Sequence, residues 1–162
     1  MKTIKKRRIK GKTDYNARLN LLKSSLPRVV VRKTNKYVIA QYVKSEEAQD
    51  YVVSSVDSKD LLKFGWKKEH EGSLKSLPAC YFVGLLLGKN IKEAKGSKAI
   101  LDIGLNRNVK KSRLYAVLKG LVDSGIEIAH KKEIFPDEKR LKGEHLKNKI
   151  DFEGIKSKIM KK

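Results

Sequence analysis

A chain of 162 residues that sets 39 Lys plus Arg against 18 Asp plus Glu carries a formal net charge of +21 and repels itself unless a polyanion is at hand. With 40 % hydrophobic residues it can build one core without disulfides or metal. The single cysteine excludes an intrachain disulfide, and the apolar run around it, Ala79 to Leu87, is too short to cross a bilayer. The basic start lacks the apolar stretch and small-residue cleavage site of a secretory signal, so a cytoplasmic protein with a nucleic-acid partner, not a membrane, is expected.

The charge is uneven. Residues 1 to 36 hold 13 basic and 1 acidic side chain, residues 37 to 100 hold 10 and 8, and residues 101 to 162 hold 16 and 9. A nearly neutral body with cationic ends follows. Residues 1–12 form a basic arm, with six cations between Ile4 and Lys12. It cannot fold alone, because like charges repel and nothing apolar is there to bury. Thr13 or Asp14 then caps a short helix whose Tyr15, Leu19 and Leu22 share one face, with Arg18 and Lys23 off it.

After Pro27, the runs Arg28–Lys33 and Tyr37–Val43 are β-branched and aromatic, separated by Thr34-Asn35-Lys36 with Asn35 where φ > 0 is tolerated, which predicts a hairpin. Beyond the polar loop Ser45–Gln49, Tyr51–Val56 adds a third strand, completing an antiparallel meander. Asp57 or Ser58 caps a brief helical turn reaching Trp66. From Lys75 to about Ala94 the spacing predicts a helix, and Gly84 and Gly88 within it imply close approach to another backbone, expected to be the sheet. Ala99–Gly104 reads as a strand and Leu105–Lys111 as a basic loop. Ser112 reads as the N-cap of a helix over Arg113–Ser124, with stripe Leu114, Val117, Leu118, Leu121 and Val122, stopped by Gly125. Both helices are expected on the sheet.

The fold class is therefore α/β: a mixed sheet of a three-strand antiparallel meander plus one further strand, helices packed on it, a basic N-terminal arm and a helical C-terminal extension. The domain occupies residues 13–130. Residues 131–162 are Lys-rich with thin apolar periodicity, which predicts peripheral helices open to ordering on a partner.

Candidate catalytic chemistry is thin. His70, His130 and His145 are scattered without a second ligand at metal spacing, and Cys80 sits in an apolar run away from any base. No glycine pattern fits a phosphate loop. Asp102 with Asp57 and Asp60 could assemble a metal-dependent nuclease centre, but capping explains Asp57 and Asp60, and pairing with a Lys or Arg explains Asp102. No enzyme, cofactor, metal or small-molecule substrate is expected. A sequence-neutral nucleic-acid-binding protein is the other alternative.

The cations point instead to phosphate. Arg28, Arg32, Lys33 and Lys36 extend the positive field onto the hairpin, where Asn35 can bond a base edge or sugar and Tyr37 can stack on an unpaired base or pack in the fold. The loop before Ser112 joins polar donors and cations to a helix N-terminus, which attracts phosphate.

Thr13-Asp14-Tyr15, Arg18-Leu19, Leu22-Lys23-Ser24, Pro27-Arg28, Thr34-Asn35-Lys36, Ala40-Gln41, Ala99 to Leu105, Val122 to Ile128 and Gly143-Glu144-His145 together resemble the archaeal and eukaryotic type of 5S rRNA-binding large-subunit ribosomal protein. This is the counterpart of the eighteenth bacterial large-subunit protein. The resemblance runs in order from about Thr13 to His145. It implies a non-enzymatic constituent of the central protuberance that binds 5S rRNA, with large-subunit rRNA and 5S-associated proteins as neighbours. RNA contacts transfer to Lys5, Lys6, Arg7, Arg8, Lys10, Lys12, Arg18, Arg28, Arg32, Lys33, Asn35 and Lys36, and then to Arg107, Lys110, Lys111 and Arg113. The Lys-rich C-terminal part departs most from the family pattern.

Overall fold

The computed structural model describes residues 6–46, 49–67, 72–146 and 150–161, excluding the side chain of Arg8. Lys5, the Arg8 side chain and His70 therefore lie outside the described residues. The arm ends in one helical turn, α1 (Lys6–Ile9), and α2 spans Tyr15–Lys23. Asp14 caps α2 by accepting the backbone N–H groups of Asn16 and Ala17 at 2.9 and 3.1 Å. The apolar face read along α2 does not enter the core: none of its residues is buried, and Leu19 is exposed.

Strands β1 (Arg28–Lys33), β2 (Val38–Glu46) and β3 (Gln49–Asp57) form the meander, and β4 (Ile100–Asp102) runs parallel to β1, giving the order β3-β2-β1-β4. Thr34 rather than a positive φ at Asn35 closes the first turn: its hydroxyl donates to the Tyr37 carbonyl and accepts the Tyr37 N–H, both at 2.9 Å. Asp57 and Asp60 build a capping box on a short 3₁₀ segment, Ser58–Phe64, ended by Gly65 at φ 98°.

Strand alternation sorts the side chains. Val29 and Val31 of β1, with Val38, Ala40 and Tyr42 opposite, turn to one face and are buried in the core, where α3 (Leu77–Glu93) packs on β2 and β3. Arg28, Val30 and Arg32 turn to the other face, where Val30 pairs with Asp102. The helices do not both lie on the sheet as the sequence suggests. Helix α4 (Arg113–Asp123) packs chiefly on α3, and Gly84 marks the crossing: a Cβ there would stand 2.0 Å from the Val117 carbonyl oxygen. Gly88 faces the Ser124 side chain in the same seam. The close approach is therefore helix to helix, because α3 is buried on all sides between sheet and α4.

Past the short helix α5 (Glu138–Lys142), the C-terminal α6 (Phe152–Lys161) is less peripheral than its lysines suggest. Ile155 and Ile159 are buried, and the Phe152 ring stacks on Tyr81 and lies 4.8 Å from Phe82. One apolar stripe at i, i+3, i+7 is enough to dock a helix whose other positions are charged. Cys80 is wholly buried, and desolvation of its thiolate pushes the thiol pKa up to about 12, so it behaves as a small apolar residue. Among the described residues no helix is long and apolar enough to cross a membrane.

Candidate nucleic-acid interface

The sheet face away from α3 carries a chain of alternating charges. Arg18 on α2 reaches Asp50 at 2.7 Å; Asp50 holds Arg28 at 2.6 Å; Arg28 reaches Asp102 at 3.2 Å; and Asp102 holds Arg32 at 3.0 Å. Asp102 also accepts the Gly104 N–H at 2.8 Å. Arg28 is 2 % exposed and both its charged partners belong to this protein, so its guanidinium is a strut inside the fold and not part of the outer surface. This placement corrects the expectation for Arg28. A sequence offers no local sign of it, since Arg28 and Asp102 lie 74 positions apart.

Asp102→Asn leaves Arg28 with Asp50 but removes half of its neutralisation, and should cost about 2 to 3 kcal/mol in urea denaturation. The Asp50 carboxyl is raised by partial burial but lowered by more through hydrogen bonds from Ser45, Arg18 and Arg28, and titrates below its ordinary 3.8. A folded-state pKa below the unfolded one stabilises the fold above the unfolded pKa and is lost as pH falls through the folded value. Asp50→Asn should therefore flatten the fall in thermal midpoint below about pH 4 relative to wild type, a scan readable by circular dichroism.

Among the described residues, several of the outward cations line two clefts. The first, about 680 Å³, lies between α2 and β4 and is lined by Arg7, Lys12, Arg18 and Arg32 together with Leu21, Ile103 and Leu105. The Arg7 Nε donates to Thr13 Oγ1 at 3.0 Å, fixing the end of the arm against α2. The second, about 600 Å³, brings Lys33 of the hairpin to Arg107, Lys111 and Arg113 at the head of α4, with Arg140 of α5 and His145 just after it. The sequence reading did not single out Arg140, and it took His145 as a scattered histidine and part of the family pattern, not as a neighbour of Lys33 and Arg113.

Of the remaining expected residues, Lys6, Lys10, Asn35 and Lys36 are exposed. Lys110 and Lys111 are tied to Glu133 and Asp137 at 3.4 and 2.7 Å. Tyr37 is half-buried against the core with the Lys59 ammonium 4.3 Å above its ring, which favours packing over stacking on a base. The three acidic residues considered for a nuclease are spent within the fold, Asp57 and Asp60 in the capping box and Asp102 between two arginines.

A small α/β body with basic clefts and a cationic arm on it is the build of a nucleic-acid-binding protein. The family of ribosomal large-subunit proteins 60S L5 and 50S L18 matches residues 1–98 and 89–131, and the chain belongs to that family. Among curated proteins it is 48 % identical over 152 residues to the large ribosomal subunit protein uL18 of Korarchaeum cryptofilum (strain OPF8), covering 92 % of this chain and 76 % of that one. The chain is accordingly an rRNA-binding structural constituent of the large ribosomal subunit, acting in translation in the cytoplasm.

Proposed function

We propose that the protein binds 5S rRNA and helps attach it to large-subunit rRNA in the central protuberance, beside other 5S-associated proteins, without enzymatic activity. The observation that carries this is the convergence of Arg7, Lys12, Arg18 and Arg32, from three separate elements, on one cleft continuous with the arm. Lys33, Arg107, Lys111 and Arg113 at the second cleft supply a further group of phosphate contacts. A-form grooves offer side chains little sequence to read, so shape, backbone and loop bases carry recognition.

Filter binding at one salt concentration, with 5S rRNA, an unrelated structured RNA and duplex DNA in competition, tests the reading. Preference for 5S rRNA over both competitors is the expected result. Equal affinity for all three would reduce the protein to a general polyanion binder.

A further inference from the structure

Within the first cleft, Arg32 is held in a way that charge alone does not require. Its Nη1 donates to the carbonyls of Val31 and Asp102, each at 2.9 Å, and its Nη2 to Asp102 Oδ1 at 3.0 Å. These bonds tie down both terminal nitrogens and so fix the orientation of the group. A Cβ on Gly104, at φ +59°, would stand 2.8 Å from Arg32 Cζ and 3.0 and 3.1 Å from its two terminal nitrogens. Near-equal distances with carbon nearest place Gly104 over one flat face of the group. The side chain is nonetheless 43 % exposed and lines the cleft.

Apolar surface lines the same cleft, from Leu21, Ile103 and the 57 % exposed Leu105. Two amides stand at the same cleft: Asn106, whose Nδ2 is spent on the Ile103 carbonyl at 2.8 Å while its oxygen is left to accept, and exposed Asn20 on α2. Arg7 and Lys12 stand at the cleft as cations. A flat cationic face, apolar walls, amides for a polar edge and cations for phosphate match one ligand chemistry, a nucleotide lifted out of its stack. The volume, about 680 Å³, accommodates it.

We propose that this cleft receives a single unstacked nucleotide of the bound RNA, its base lying on the guanidinium plane of Arg32 and its edge met by Asn20 and Asn106. The proposal rests on the RNA-binding reading above. A lysine keeps the charge and loses the plane, so Arg32→Lys separates stacking from electrostatics.

The test uses the full chain with 5S rRNA, measuring affinity over a salt series and probing RNA reactivity nucleotide by nucleotide. Arg32→Lys should weaken binding roughly tenfold at every salt concentration with no change in the salt slope, because stacking releases no counterions. Leu105→Ala, at an exposed position that leaves folding untouched, should weaken it about threefold. Both variants should change the reactivity of the same single nucleotide. Wild-type affinity and an unaltered reactivity pattern in Arg32→Lys would overturn the proposal; if that variant fails to fold, the Leu105→Ala pattern decides alone. Should the wild-type protein itself show no preference for 5S rRNA, it is the function reading that fails.

Discussion

Removal of residues 1–12 is expected to lower affinity for 5S rRNA by about 10³-fold at 200 mM salt and to flatten its salt dependence. Seven Lys and Arg side chains leave with that segment. Each phosphate contact displaces condensed counterions and adds roughly 0.7 to 0.9 to the slope of log affinity against log salt, so about six lost contacts should reduce the slope by about 4 to 5. The thermal midpoint should hardly move, because the described arm residues Lys6, Arg7, Ile9 and Lys10 are exposed and contribute nothing to the core. Filter binding at 50, 100 and 200 mM salt measures both quantities. An unchanged slope in the truncated protein would remove the arm from the interface.

The second large effect lies in the seam between α3 and α4. On an isolated helix Gly→Ala is stabilising by about 1 kcal/mol. Here the sign should reverse for Gly84→Ala and Gly120→Ala, whose new methyl groups would meet the Val117 carbonyl oxygen at 2.0 Å and the Tyr81 carbonyl oxygen at 2.1 Å. Those obstacles are backbone atoms, so relief requires the two helices to part along the length of the core. A loss of about 3 kcal/mol or more is expected in urea denaturation, and Gly84→Val should leave too little folded protein to measure. Gly72→Ala, where nothing lies within 4 Å, serves as the near-neutral comparison. Equal midpoints for Gly72→Ala and Gly84→Ala would contradict the close crossing.

The two expectations differ in where their causes are visible. The arm's role follows from charge density, which a sequence displays in full. The seam was half visible: glycines four apart inside a helix announced a close neighbour, but which neighbour depended on how α4 stacks, and α3 has apolar side chains all round with no single face to point outward. Likewise, α6 announced itself by Phe152, Ile155 and Ile159, yet their distance in sequence from Tyr81 and Phe82 hid the place where they dock.

Sequence alone determined what is local. The caps at Asp14 and Asp57, the stop at Gly125, the three strands of the meander and the strand at β4 all follow from side chains acting on backbone within a few residues. The tertiary structure alone decided which charges serve the inside and which the outside. Arg28 and Arg32 are four residues apart on one strand face, and nothing in their spacing separates them. Only the arrival of Asp50 and Asp102 from distant strands buries the first as a strut and presents the second to the cleft, because a charge leaves water only where another part of the chain brings it a partner.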